Sequence, residues 1–328
     1  EGIELMKKAA RLGAMPAIKF VAHFFSSSEV IPLLEKKVDE GDAEAMGMLG
    51  TAYLQGAGVE KDESKGVSLI SDAAEKGERD SVFNLALFYE FGQHGVEEDI
   101  QKAISLYEKC VNEDDVVAMN NLGNIYERNN RIEHDFKKAF ELYKRAADMD
   151  DTAGFNNVAT CYKKGIGTEV DYAKALDYYL KAVDKGSMEA YWNLALYYVD
   201  GVAVKQDYDK ANEWMIKGAE TGNADCAYLI GTHYQTGNHI EQNNDKAYKY
   251  ISLAAEKGHH EACLELARMY RYGIGTERNP ALAFEYYNKA AEHLVDGVAE
   301  LGQCYTYGIG TNKNDVKAVE LYKIAAEH

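Results

Sequence analysis

The tetrapeptide "GIGT" occurs three times, at Gly165–Thr168, Gly273–Thr276 and Gly308–Thr311. A Gly-x-Gly turn ahead of a helix can cradle a phosphate on its backbone amides. Two further sets carry reactive types. His259, His260, Glu261 and Cys263 bear metal-ligating groups, and Cys110, Cys161, Cys226, Cys263 and Cys304 are nucleophiles or disulfide halves. Pattern argues against each of these chemistries. Adjacent histidines on a helix point in different directions, and neither zinc-protease spacing nor a second ligand pair accompanies them. The cysteines are odd in number and form no Cys-x-x-Cys pair. Buried free thiols are expected, a weak pointer to a reducing, cytoplasmic compartment. No Gly-x-Ser-x-Gly elbow, Walker loop or nucleotide fingerprint occurs. A turn that recurs at fixed spacing builds a fold, so no catalytic residue, metal or cofactor is expected.

The chain has 328 residues, a length that suits two domains or one repeat array. Apolar residues make up 46% and charged residues 27%, an ordinary folded composition, and only three prolines interrupt it. The formal net charge of −18 repels a phosphate backbone, so nucleic acid is excluded as a partner. No run approaches the roughly 20 apolar residues of a membrane span, so no membrane insertion is expected. The sequence opens at Glu1 partway through a repeat, which leaves upstream segments and the native compartment open.

The elements that must position any site come from an internal period of about 36 residues. A marker tyrosine recurs as Tyr53, Tyr89, Tyr126, Tyr162, Tyr198, Tyr234, Tyr270 and Tyr305. Four residues before each stands a large aliphatic residue, from Leu49 to Leu301, followed always by Gly or Ala. This is one stripe of a helix A whose small residue lets a neighbouring helix approach. A second stripe, such as Ala175, Tyr178, Tyr179, Ala182 and Val183, marks a helix B. Asp62, Asp99, Asp135, Asp171, Asp207, Asn243, Asn279 and Asn314 are expected to N-cap the B helices, with Pro280 at a first helical position. Gly41, Gly77, Gly186, Gly222 and Gly258 are expected in left-handed caps. The same conformation is expected three residues past each marker, at glycines in seven repeats and at Asn129 in one. The expected boundaries are 42–77, 78–113, 114–150, 151–186, 187–222, 223–258, 259–293 and 294–328. Residues 1–13 match a lone B helix and 14–41 a degenerate short repeat, with Ser26–Pro32 as the hinge candidate.

Leu-Gly-x-x-Tyr, then Gly-x-Gly, Asp, Lys-Ala and Tyr-x-Lys-Ala-Ala resembles the Sel-one-like repeat (SLR), a longer-looped relative of the tetratricopeptide repeat. Examples are "NLGNIY" (Asn121–Tyr126), "KAFELYKRAA" (Lys138–Ala147) and "ELGQCYTYGIGT" (Glu300–Thr311). The resemblance implies an all-α fold, a right-handed superhelical α-solenoid of antiparallel helix pairs whose A helices line a concave face. It also implies an adaptor or scaffold that binds another protein or an extended peptide, not an enzyme. Fold by itself leaves the partner open.

By resemblance to tetratricopeptide grooves, the position five before the marker faces the concave surface. Here it holds Met48, Asn84, Asn121, Asn157, Asn193, Leu229, Glu265 and Glu300. Asparagine is a poor mid-helix residue, and four in succession can offer donors and acceptors to a peptide backbone. The alternative is that each bonds a neighbouring helix or a preceding carbonyl. Nearby groove candidates are Asn120, Asn124, Asn156, Lys163, Trp192, Tyr228, Arg268 and Arg271. The cations would clamp a carboxylate and the aromatics would anchor a partner. Glu44, Asp80, Glu189, Asp225, Glu261 and Asp296, nine before the marker, either form an acidic rim or complement helix dipoles. Two other functions stand beside the scaffold. One is small-molecule binding or amide hydrolysis, since some secreted relatives are suspected of binding cell-wall-derived compounds, although their regularly paired cysteines are missing here. The other is self-assembly into a homo-oligomer through exposed solenoid ends.

Overall fold

The computed structural model describes residues 8–10, 14–24 and 27–327, and all regular structure among them is helical. Two helices, α1 (Met15–Phe24) and α2 (Ser27–Asp39), precede eight A/B pairs. These are α3 (Ala43–Gln55) with α4 (Glu63–Glu75), α5 (Arg79–Phe91) with α6 (Ile100–Asn112), and α7 (Val116–Arg128) with α8 (Phe136–Asp148). Then come α9 (Thr152–Lys164) with α10 (Tyr172–Asp184), α11 (Met188–Asp200) with α12 (Tyr208–Glu220), and α13 (Ala224–Thr236) with α14 (Asn244–Glu256). The last pairs are α15 (His260–Tyr272) with α16 (Pro280–Ala291) and α17 (Val295–Tyr307) with α18 (Asp315–Glu327). The chain divides into two compact units, Glu1–Gly154 with Ile166–Thr168, and Phe155–Gly165 with Glu169–His328. Within each unit a helix packs mainly on its sequence neighbours, as a repeat array requires.

Local chemistry explains the boundaries. Every expected B-helix cap accepts from the amide three residues on, for example Asp62 from Lys65 at 2.9 Å and Asn314 from Lys317 at 3.0 Å. Such a cap stabilises by about 1 kcal/mol. The cap amide in turn donates to the carbonyl of the marker tyrosine in all eight repeats, from Asp62 to Tyr53 at 3.0 Å through Asn314 to Tyr305 at 2.9 Å. The lysine of the Lys-Ala motif lies over that tyrosine ring, at 4.1 Å for Lys65 on Tyr53 and 4.3 Å for Lys138 on Tyr126. The loop between the two helices is therefore tied at its backbone and its side chains.

The small residue after the aliphatic marker does what its spacing predicts. A Cβ on Gly50 would meet Ile70 Cγ1 at 2.7 Å and the Gly66 carbonyl at 2.8 Å. A Cβ on Gly231 would meet Ile251 Cγ1 at 2.7 Å. Contacts this close exclude anything larger than glycine without movement of helix B.

Two expectations need correction. Asn129 is extended, with φ −76° and ψ 118°, because its side-chain oxygen accepts from the Arg131 amide and shapes a turn without left-handed backbone. Ser27–Pro32 lies inside α2, where proline costs a backbone hydrogen bond but does not break the helix. Most marker tyrosines are only half-buried, since their position sits at the loop. The fully buried tyrosines are chiefly Tyr107, Tyr143, Tyr179 and Tyr287 of the B helices. The lone B helix expected over 1–13 falls largely outside the described residues, of which 8–10 are helical.

Candidate functional site: the A-helix face

The first unit places Met48 and Asn84, both five before their markers, on the wall of one cavity of about 260 Å³. Asn121, at the same position one repeat on, donates from Nδ2 to the Tyr107 hydroxyl over 3.4 Å. That hydroxyl donates to Glu90 Oε2 at 2.7 Å. Burial pushes the Glu90 carboxyl above the ordinary carboxylate range, only partly opposed by the Tyr107 hydrogen bond. Next along the face, the Tyr143 hydroxyl lies 2.8 Å from Asn124 Oδ1 and 2.9 Å from Glu127 Oε2. Hydroxyls of buried B-helix tyrosines thus end among the A-helix polar groups.

Asn120 is a different case. It is only 8% exposed, and its Nδ2 donates to the Val116 carbonyl at 2.9 Å and to Asp151 Oδ2 at 2.8 Å. Asp151 also accepts from the Gly154 amide, so Asn120 braces the start of the next A helix rather than a groove. The sequence-based placement of Asn120 on the open face is corrected accordingly.

In the second unit Asn156, Asn157, Lys163, Trp192 and Asn193 are half-buried. The Asn156 side-chain oxygen is buried with no hydrogen-bond partner, and Asn193 Nδ2 donates to the Glu189 carbonyl one turn back at 3.2 Å. Lys163 sits 5.5 Å from the Tyr197 ring centre, and burial draws its ammonium pKa down. Tyr228 stacks on His259 at 4.4 Å. Arg268 bonds Glu265 and Glu300, while Arg271 bonds Glu300 at 3.0 Å and Gln303 at 3.2 Å. The two arginines expected to clamp a partner carboxylate are occupied by glutamates of the same face. Those glutamates hold the five-before-marker position, so the chain answers its own cations there.

The chemistry-bearing sets have structural roles. His259 Nδ1 lies 3.2 Å from the Ala262 amide and caps α15, while His260 stacks on His293 at 3.8 Å. Among the described residues no group of His, Cys, Asp and Glu could hold a metal ion. All five cysteines are buried thiols outside any disulfide, and burial pushes Cys110 and Cys304 to about 11 and Cys226 to about 12. Such thiols are poor nucleophiles. The first-turn acids Glu44, Asp80, Glu189, Asp225, Glu261 and Asp296 all sit in first turns of A helices.

Sequence reasoning missed Glu90, Glu127, Lys19, Glu78 and Ser81 on this face. The recurrent Tyr-x-Lys-Ala-Ala motif held a signal for the first two, since a core tyrosine needs a partner for its hydroxyl.

The Sel1 repeat sequence model matches residues 1–13, 43–78, 79–113, 116–151, 156–187, 189–223, 224–259, 260–293 and 295–328. The chain belongs to the Sel1 repeat family. A Sel1 repeat protein of Oxalobacter formigenes has a similar structure, with TM-score 0.73 and 24% identity over 92% of this chain and 90% of that one. A protective antigen of uropathogenic Escherichia coli strains, displaying an SLR fold, superposes with TM-score 0.62 and 24% identity, covering 98% and 79%. No curated protein matches the sequence. Sel1 repeat proteins generally mediate protein–protein interaction and are typically non-enzymatic. Among the described residues no helix is long and apolar enough to cross a membrane.

Proposed function

We propose that this Sel1 repeat chain is an interaction scaffold that holds an extended segment of a partner protein against its A helices. The observation that carries the reading is the cavity walled by Met48 and Asn84, where two successive five-before-marker residues front open volume. Panning an extended-peptide display library on the full chain tests it, with hydrogen exchange locating the bound segment. Protection concentrated on α3, α5 and α7 is expected. Protection confined to B helices, or no enriched peptide, would sink the proposal. The hydrolase alternative gains nothing from buried, high-pKa thiols and histidines engaged in capping and stacking.

A second reading has its own observation. On α18 Val316 is 70% exposed, and Val319 and Ile324 are exposed beside it. A second copy docked on this exposed apolar face would form a homo-oligomer. Sedimentation of the wild type and of Val319→Glu decides: a concentration-dependent mass lost in the variant supports it, and identical monomers end it.

A further inference from the structure

The cavity of about 260 Å³ in the first unit lies where α1, α3 and the start of α5 meet. Its wall carries three carboxylates, Glu44, Glu78 and Asp80, against one cation, Lys19. Lys19 reaches over from α1 and pairs with Glu44. Acidic residues in first turns are ordinary helix-dipole partners, so the cluster alone defines nothing. A second observation does. Ser81 is 1% exposed, and its Oγ is buried without a hydrogen-bond partner. The hydroxyl faces Gly47 across the cavity wall, since a Cβ on Gly47 would lie 2.5 Å from it. The same Cβ would lie 3.0 Å from Glu78 Oε2. Glycine at 47 therefore lets the hydroxyl and the carboxylate lie close against the α3 backbone, where all three residues line the cavity. A buried polar group left unpaired in a native fold calls for an explanation, and a bound ligand is one.

The polar lining is rich in acceptors. Glu78 already accepts from the Ser81 amide at 2.7 Å and the Asp80 amide at 3.2 Å while it caps α5, which holds its carboxylate in place. The Thr51 hydroxyl spends its proton on the Gly47 carbonyl at 3.0 Å and keeps lone pairs free. Asn84 adds a side-chain carbonyl, and Met48 adds an apolar, deformable surface for an alkyl stem. A site with many acceptors, a net excess of two carboxylates and one apolar wall fits a multiple donor on an aliphatic chain. The volume far exceeds the about 30 Å³ of a single water. A bare ion would leave most of it empty.

We propose that this cavity receives an alkylammonium, and specifically a lysine side chain of the extended partner segment, with Ser81, Glu78 and Asp80 as its acceptors. The proposal rests on the scaffold reading above and names the chemistry its partner must show. Lys19 is the chain's own ammonium at the same acids, and its side chain remains half exposed at 50%, free to swing aside.

The test titrates the full chain, isotopically labelled, with Ac-(Ala-Ser)₂-X-(Ala-Ser)₂-amide in which X is Lys, acetyl-lysine, Arg or Glu, and separately with cadaverine and calcium chloride. The Lys peptide should shift the Ser81 and Asn84 resonances saturably, at least tenfold more tightly than the acetyl-lysine peptide. Ser81→Ala should weaken the Lys peptide severalfold while its melting temperature holds or rises, because the unpaired hydroxyl is gone. Glu44→Gln with Asp80→Asn should weaken it at least tenfold. Equal binding of the Lys and acetyl-lysine peptides overturns the proposal, as does a response unchanged by both variants. A response to cadaverine without the Lys peptide overturns the partner as source, and saturation by calcium at these residues replaces the ammonium with a metal. If panned peptides bind the A helices without needing lysine, only this inference fails. If no peptide binds at all, the scaffold reading fails with it.

Discussion

Gly167 and Ala203 occupy the same place in their repeats, five residues past the marker, with φ +67° and +60°. A Cβ on Gly167 would lie 2.0 Å from the Phe136 carbonyl oxygen, so its glycine serves a turn that also touches backbone of the preceding repeat. Gly167→Ala should destabilise by more than the about 1–2 kcal/mol that left-handed backbone costs an L-residue. Ala203→Gly should go the other way, by a few tenths to about 1 kcal/mol after the added unfolded-chain entropy. Urea midpoints of both variants check this, and a less stable Ala203→Gly would refute it. A phosphate role for the turn would instead show as nucleotide binding lost without a change in stability. Glu90 gives a pH prediction. Its folded pKa is raised by burial, so the folded state holds the proton more readily than the unfolded chain. Its contribution is favourable below the ordinary carboxylate pKa and is lost as pH climbs through the raised value. Glu90→Gln, which can still accept from Tyr107, should stabilise the protein near neutrality and flatten the pH dependence just above the carboxylate range. A neutral-pH loss in Glu90→Gln would contradict the assignment.

At the scale of the element, the pair of helices is held at its loop by the cap, the marker carbonyl and the lysine–tyrosine contact. Asp135→Ala should cost about 1 kcal/mol through the lost bond to the Lys138 amide. Lys138→Ala should cost about 0.5–1 kcal/mol through the lost contact with Tyr126. Denaturation of both single variants and the double variant tests whether the two act on one loop, and strict additivity would show that they do not. Caps and left-handed glycines were legible in the sequence because they are local: one residue type answers one backbone need. Asn129 was misread since asparagine has a second solution, a side-chain turn to Arg131, that its position alone does not reveal. The left-handed residues Asp114 and Asp150 escaped notice for the converse reason, with no glycine to flag them. The candidate face was legible as a set of positions but not as a set of free groups. Whether Arg268 meets solvent or Glu300 depends on the next repeat, 32 residues away, which no local pattern encodes.

For the whole molecule, a net charge of −18 sets the kind of partner that approaches it, and a basic segment is steered toward it while an acidic one is held off. Salt should therefore weaken a basic partner mainly through its association rate. The asparagines give the sharpest discrimination between a binding face and a packing layer. Asn84 and Asn121 sit half-buried on neighbouring A helices of one unit, and Asn121 makes only a long bond to Tyr107. If they bond a partner's backbone, each adds about 1 kcal/mol net, and replacing both by alanine should weaken the partner roughly tenfold or more. Melting should barely move, since alanine favours helix over asparagine. Asn120→Ala supplies the opposite pattern on the adjacent residue, because it strips the bonds to Val116 and Asp151 that brace the start of the next A helix. That variant should melt earlier with affinity for the partner intact. Measuring affinity and melting on all the variants separates the two roles in one experiment. A double variant that melts early and binds normally would assign Asn84 and Asn121 to packing, and the partner would then have to be sought on another face of the repeats.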